Sequence, residues 1–329
     1  MFPNFLSKTV AVGLLATTMT FGAQVGSVSA TETINFGTQP ATMPIYIARA
    51  MGALDKVEKK HDVEIEFKVF SYGAPENQAL AAGELQIASA GMGPAIVASA
   101  RLPATLLAIS ILEQTAIIIP KDSTITSVAE LKGKKIAFPG KGSQQYPLLV
   151  KALADVGLSL SDVELFKTKG SDVPTLLANK SVDAGITWDP HVSNALAAGH
   201  SKILIKAEKI LPIKAGHYIG NGVYARDDFI KARPELVQDL ISAIVEAIDF
   251  ILKNEDKAIK MWADQIGFPE DVIRFAIKEK ISVYNLDVAP EASTIEAYTK
   301  FLKDAGILKP DDNPQFDPSF AQNALKMMK

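Results

Sequence analysis

Gly140, Lys141, Gly142 and Ser143 stand together in the stretch GKKIAFPGKGSQQYPLLVKAL (Gly133 to Leu153), between a short apolar run and an amphipathic one. Glycines, a lysine and a hydroxyl in that position are the parts of a phosphate loop. A Walker loop, however, needs a glycine, four residues and then Gly-Lys-Ser/Thr. Here Lys141 is followed by Gly142, and no glycine stands five residues before Gly140. The dinucleotide fingerprint fails as well, because Gln145 stands where its third glycine belongs. Nucleophilic catalysis is no better served. The histidines are His61, His191, His200 and His217, and no serine sits in a G-x-S-x-G elbow. Cysteine is absent, and His, Asp and Glu show no metal-ligand spacing. No cofactor, metal or catalytic residue is expected.

Binding without covalent chemistry is left. A turn that enters a helix exposes unpaired backbone N–H groups at the positive end of the helix dipole, and Ser or Gln beside it adds hydroxyl and amide donors. Three such turns occur: TQPATMP (Thr38 to Pro44), AGMGPAI (Ala90 to Ile96) and GKGSQQYP (Gly140 to Pro147). Together they suit a small anion.

Strands must place those turns. From Thr33 the chain alternates short apolar runs with amphipathic ones, the pattern of an α/β fold with largely parallel sheets. TINFG, VEIEFKVF and LQIASAG read as strands, with helices after the first turn, at APENQALAAG and at PAIVASA. The same grammar returns in GKKIAF, YPLLVKALADVG, DVELFKT, DVPTLLANK and VDAGITW, which suggests two similar lobes. The remainder is helical. In RPELVQDLISAIVEAIDFILKN, Leu236, Val237, Leu240, Ile241, Ile244, Val245 and Ile248 share one helical face. On such sheets all three turns lie beyond the carboxyl ends of strands, where α/β folds bind ligands.

The first thirty residues read differently. Their one charged side chain is Lys8, followed by the apolar VAVGLLATTMTF and a small-residue end at Val28-Ser29-Ala30. That is a secretory signal, with cleavage expected after Ala30. The remaining 299 residues carry 33 basic against 37 acidic side chains and no basic block, so nothing points to nucleic acid. Without a cysteine no lipid anchor can form at the junction, and a soluble periplasmic protein is expected.

Four stretches, INFGTQPATMPIYIA, ALAAGELQIASAGMGPAI, VAELKGKKIAFPGKGSQQYPLLVKALADVGL and VDAGITWDPHVSNALAAG, resemble the solute-binding proteins of ABC importers for sulfonates, taurine and nitrate. The resemblance implies a two-lobed, type II periplasmic binding fold, each lobe a mixed, mainly parallel sheet flanked by helices. Residues 31–117 and 217–329 would form lobe one and residues 118–216 lobe two. The hinge would cross at Thr115 to Lys121 and again at His217 to Val223. A small organic anion or zwitterion would sit in the cleft of a monomer, for delivery to a membrane permease and its ATPase. A thiamine-pyrimidine precursor is the alternative ligand, and a menaquinone-precursor enzyme on the same fold the alternative role.

Carried over by position, the site falls on Gln39, Thr42 and Met43 of the first turn and Glu76 of the next helix. Gly91, Met92 and Gly93 form the lobe-one turn, faced by Gly142, Ser143, Gln144, Gln145 and Tyr146. Trp188 and Asp189 belong to the WDP turn, and Glu113, His217, Tyr218 and Asn221 to the crossings. No arginine lies in any of these turns, so a bidentate clamp on an anion is not indicated. Glu76, Glu113 and Asp189 are placed to meet a cationic amine.

Overall fold

The apolar runs become strands in the computed structural model, which describes residues 31–328. The expected leader, residues 1–30, lies outside them. The strands are β1 (Glu32–Thr38), β2 (Val63–Val69), β3 (Ile87–Gly91), β4 (Ala104–Glu113), β5 (Thr115–Pro120) and β6 (Lys135–Phe138). They continue with β7 (Glu164–Lys167), β8 (Ala184–Trp188), β9 (Ser201–Lys206), β10 (Ile219–Arg226) and β11 (Ser282–Val283). Two sheets form, ordered β11-β4-β10-β3-β1-β2 and β7-β6-β8-β5-β9. In the first, β1 pairs parallel with β2 and β3, while β10 runs antiparallel to β3 and β4. In the second, β6 pairs parallel with β7 and β8, while β5 runs antiparallel to β8 and β9. Both sheets are mixed, with their antiparallel pairs next to the strands at the two crossings.

The stretch ATLLAISILEQTAIIIP is the junction. It supplies β4 to the first sheet and β5 to the second, with Gln114 alone between them. Nearly every residue is buried, so it reads as a continuous apolar run rather than an alternation. The first crossing therefore falls at Glu113–Gln114 and not along Thr115 to Lys121, because β5 belongs wholly to the second sheet. Glu113 and Gln114 turn the chain with φ of 63° and 99°, the left-handed side that non-glycine residues seldom adopt. Hydrogen bonds hold that turn: Glu113 N–H donates to the Tyr218 carbonyl at 2.8 Å and Gln114 N–H to the Ile281 carbonyl at 2.7 Å.

Helices cover both sheets. Beneath the first, Met43–Ala50, Ala53–His61, Pro234–Lys253 and Ser319–Met327 contribute to one apolar cluster. A second cluster is continuous through both sheets, joining Ile96, Leu112 and Ile117 to Leu149. Along β5 the pleat divides the side chains: Ile117 and Ile119 enter that shared core, while Ala116 and Ile118 face a third cluster with Val173 and Leu177. Several boundaries shift from the sequence reading. The helix expected from Pro94 begins at Met92, and the strand expected from Leu85 begins at Ile87.

Leu240 and Leu252 lie on the same long helix, the first fully buried and the second 49% exposed. Leu240→Ala should cost about 2–5 kcal/mol through the cavity it leaves. Leu252→Ala should stay within about 0.5 kcal/mol. Denaturant titration of the two variants beside the unaltered chain measures the difference.

Candidate functional site

The first turn shows how few of its residues are free. Thr42 N–H and Oγ1 both donate to the Gln39 carbonyl, at 3.0 and 2.7 Å, and the Thr42 hydroxyl also meets that of Thr38. Thr42 thus builds the turn, and Met43 lies fully in the core beneath the helix start. Gln39 is the residue that reaches the space between the sheets. Its Nε2 donates to Glu76 Oε2 at 2.7 Å.

Glu76 itself stands behind Gln39 rather than on the cleft wall. It is fully buried and its Oε1 has no partner. Desolvation pushes its carboxyl up to about 8, against the opposing effect of the Gln39 hydrogen bond, so at neutral pH it is mostly protonated. Asp189, placed among the ligand residues by sequence, is likewise engaged. Ser193 N–H and Oγ donate to its Oδ1 at 3.1 and 2.7 Å, and Ser282 Oγ donates to Oδ2 at 2.8 Å. Burial raises it to about 6. The Asp189 carboxylate ties the turn after β8 to β11 and offers nothing to a solute.

Turns from the two sheets enclose a cavity of about 20 Å³. Gln39, Gly91 and Asn221 line it from the first sheet. Ser143, Gln144, Gln145 and Trp188 line it from the second. Sequence reading missed Tyr72 and Gln114, which also line it. Gln114 left no local signal, since its place on the wall follows from the unusual backbone turn at the crossing; Tyr72 caps the helix that carries Glu76. Tyr72 and Trp188 are shared with a larger adjoining cavity of about 580 Å³, which Lys167, Lys169 and Asp172 also line. His191 also lines it, packed edge-on to Trp188 at 5.4 Å and against Phe268 at 6.0 Å between ring centres. Burial pushes that imidazole down to about 4, so it is neutral.

The other expected residues have different work. Met92 is core, Tyr146 packs on Phe138, and Tyr218 is fully buried with its hydroxyl 2.5 Å from that of Tyr298. Those three side chains were drawn to the site by neighbouring motif residues, but their apolar bulk is accommodated inside. Gly93 N–H donates across the cleft to Gln144 Oε1 at 3.3 Å. Gly142 approaches Ala74 so closely that a β-carbon there would sit 2.5 Å from the Ala74 methyl. The expected anion donors are therefore mostly occupied, for Ser143 Oγ also donates, at 2.7 Å, to the Gly140 carbonyl.

Glu113 and His217 lie at the crossings, not on the cavity. Glu113 Oε1 accepts from Tyr218 N–H at 2.9 Å and lies 3.1 Å from His217 Nδ1, with Glu208 3.7 Å from the same nitrogen. Desolvation, with the Glu208 charge, raises the Glu113 carboxyl. These three residues are the one group among the described residues whose ligand atoms are close enough for a metal ion. A hydrogen bond joins Glu113 to His217, and Glu208 stands at ion-pair distance from the same nitrogen. No serine or threonine hydroxyl among the described residues bonds a histidine, which leaves no preformed nucleophile and base.

Raised carboxyls make stability pH-dependent in a defined direction. The folded chain holds the Glu76 proton more tightly than the unfolded chain, so this residue's cost is absent below the ordinary carboxyl range. It grows as pH rises from there to about 8. Asp189 adds a smaller loss that is complete near pH 6. Glu76→Gln should remove the larger of these losses. The variant should then lose less stability between pH 5 and 8.5 by a few kcal/mol, since a tenfold difference in proton affinity is worth about 1.4 kcal/mol. Denaturant titrations at the two pH values check it; parallel losses in both proteins would refute the assignment.

Comparison with known proteins agrees with this architecture. The sequence pattern of the NMT1/THI5-like proteins matches residues 39–258. A protein of Escherichia coli named for binding aliphatic sulfonates is 27% identical over 299 residues, 90% of either chain. The taurine-binding periplasmic protein of Escherichia coli is 27% identical over 241 residues, 72% of this chain and 70% of its own. Among solved structures, the alkanesulfonate-binding protein SsuA of Xanthomonas axonopodis pv. citri, bound to MOPS, superposes with a TM-score of 0.73 at 22% identity. That match covers 90% of this chain and 99% of the other, and shows the same fold of two mixed sheets flanked by helices. With two thirds of its length inside the family pattern and its fold in common, the chain belongs to the NMT1/THI5-like family.

Proposed function

We propose that this chain is the solute-binding component of an ABC importer. It captures a small organic anion or zwitterion between its two sheets and presents the closed form to a permease, whose partner ATPase supplies the energy. The observation that carries the proposal is the cavity enclosed by turns from both sheets, with Gly93 bonded to Gln144 and Gly142 seated on Ala74 across it. Such a site needs no covalent chemistry to do its work. The aliphatic sulfonates and taurine named for its relatives support a solute of this class.

In this reading the halves are lobes built on the two sheets, joined at Glu113–Gln114 and again near His217–Tyr218, and they close on ligand by a hinge motion. The chain works as an exported monomer in the periplasm, after loss of residues 1–30. No helix among the described residues is long and apolar enough to cross a membrane.

The deciding experiment is a thermal-shift screen of residues 31–329 against alkanesulfonates, taurine, nitrate, aminopyrimidines and zwitterionic ring compounds. A solute at 100 times its Kd adds about 2.7 kcal/mol and raises the Tm. Silence across the panel, with turnover of any member, would refute the transport role. Closure has its own test. Gly142→Ala places a methyl against Ala74 in the closed form alone, and overpacking of this kind costs about 1–3 kcal/mol. Affinity for the solute found should fall roughly tenfold to a hundredfold, with the ligand-free Tm unchanged; unaltered affinity would mean that these two residues do not meet in the bound state.

A further inference from the structure

Three polar residues at the crossings take no part in the cleft. Glu113 ends β4 in the first sheet, Glu208 lies in the short helix Ala207–Ile210 that follows β9, and His217 precedes β10. Positions so far apart in the sequence show no ligand spacing, and only the meeting of the two crossings brings them together. His217 Nδ1 stands 3.1 Å from Glu113 Oε1 and 3.7 Å from Glu208 Oε2. One ligand atom from each residue lies within 4.8 Å of the other two.

A matching cation is what this group lacks. Glu113 is buried, and among the described residues no lysine or arginine pairs with it. Lys214, the buried cation of the same loop as His217, is taken by Asp287 at 2.9 Å and Glu291 at 3.8 Å. Glu208 has only the exposed Lys209, at 4.0 Å, and accepts no hydrogen bond among the described residues. Both hydrogen bonds to Glu113 go to Oε1, which leaves Oε2 with none. A buried carboxylate is normally paired with a cation or bound to a metal.

The spacing suits a metal of a particular kind. Zinc takes nitrogen and oxygen ligands at about 2.0–2.2 Å, which sets the ligand atoms of a tetrahedron about 3.3–3.6 Å apart. The separations of 3.1 and 3.7 Å lie on either side of that edge. Calcium and magnesium take oxygen ligands and more of them. The backbone already holds His217 in place: its N–H donates to the Lys214 carbonyl at 2.9 Å, and its carbonyl accepts from Ile213 and Lys214 at 2.9 and 3.0 Å. Solvent reaches the group, since the His217 and Glu208 side chains are 30% and 22% exposed.

We infer that Glu113, Glu208 and His217 form a site for a divalent ion of the zinc class at the joint of the two sheets. His217 Nδ1 and one oxygen of each carboxylate hold the ion, and water completes the tetrahedron. Bound there, it ties the end of β4 to the returning chain. The site is separate from the cleft and independent of which solute the cleft takes.

The probe is Zn2+, titrated by calorimetry into metal-stripped residues 31–329, with Mg2+ for comparison. Zn2+ should bind one to one, and Mg2+ at least about a hundredfold more weakly, because imidazole suits zinc and not magnesium. Glu208→Gln and His217→Ala should each weaken Zn2+ by at least about tenfold, as groups that merely support a ligand already do. His200→Ala, which removes an exposed histidine outside the group, should change nothing. Co2+ in place of zinc should give the visible absorption of a tetrahedral ion in the unaltered chain and lose it in His217→Ala. A ligand-free Tm for each variant shows which of them fold, and the Co2+ spectrum of the unaltered chain needs no variant. Unchanged Zn2+ affinity in either folded variant would overturn the three-residue site, as would an octahedral Co2+ spectrum or no Zn2+ binding at all.

Discussion

Everything in this fold depends on how the chain passes from one sheet to the other. Glu113 and Gln114 make the passage outward in two residues with left-handed backbone, and Tyr218 returns beside them. The Glu113 carboxylate accepts the Tyr218 N–H while the Glu113 N–H donates to the Tyr218 carbonyl, so the outgoing and returning chains are bonded twice to each other. Gly220 is pressed against this joint, where a β-carbon would come within 2.3 Å of the Glu113 carbonyl oxygen. The two sheets meet at this joint and over the apolar cluster they share, and beyond it their turns face each other across a gap. The cleft is a consequence of the joint, and Gln114 reaches its wall because it is part of that joint.

The charges behind the wall follow from the same geometry. Carboxyl groups close to the meeting of two sheets are desolvated, and a buried carboxylate costs far more than a buried acid unless it is matched. Glu76 is held largely as the acid, with one amide donor and one unmet oxygen. Asp189 is matched by three donors, and it is raised correspondingly less. Neither carboxyl lines the innermost cavity, whose polar side chains are neutral amides and hydroxyls that bind by direction. In the wider cavity Lys167 and Lys169 are exposed to solvent.

Much of this could be read from residue order, and the failures have physical causes. Strand and helix alternation placed the three turns correctly because each lies between elements with strong periodicity. Gln39, Gly91 and Ser143 to Gln145 were then found as turn residues, and all of them line the cavity. Met43, Met92, Tyr146 and Tyr218 were named with them, yet they are inside, because the residue after a helix start turns its side chain toward the sheet as readily as away from it. Tyr72 carried no motif. Gln114 was invisible for a deeper reason: a run as apolar as TLLAISILEQTAIIIP shows no period, so the place where it changes sheet is fixed by hydrogen bonds to distant Tyr218 and Ile281.

Gly142 of GKGS has a steric role that no phosphate motif would suggest, whereas Gly140 takes a φ of 115°. A residue with a side chain at 142 would collide with Ala74, and one at 91 would bring its β-carbon within 2.8 Å of the Gln144 amide oxygen. Gly170 repeats the pattern beneath Trp188, where a β-carbon would fall 2.3 Å from the indole. At each place a missing side chain lets a residue from elsewhere in the chain come close: Ala74 and Gln144 across the cleft, Trp188 within its own sheet's layer. Flexibility is not what these positions require, since none of the three has positive φ. They supply thinness, so that amides and an indole borne on separate turns reach one small cavity from both sheets at once.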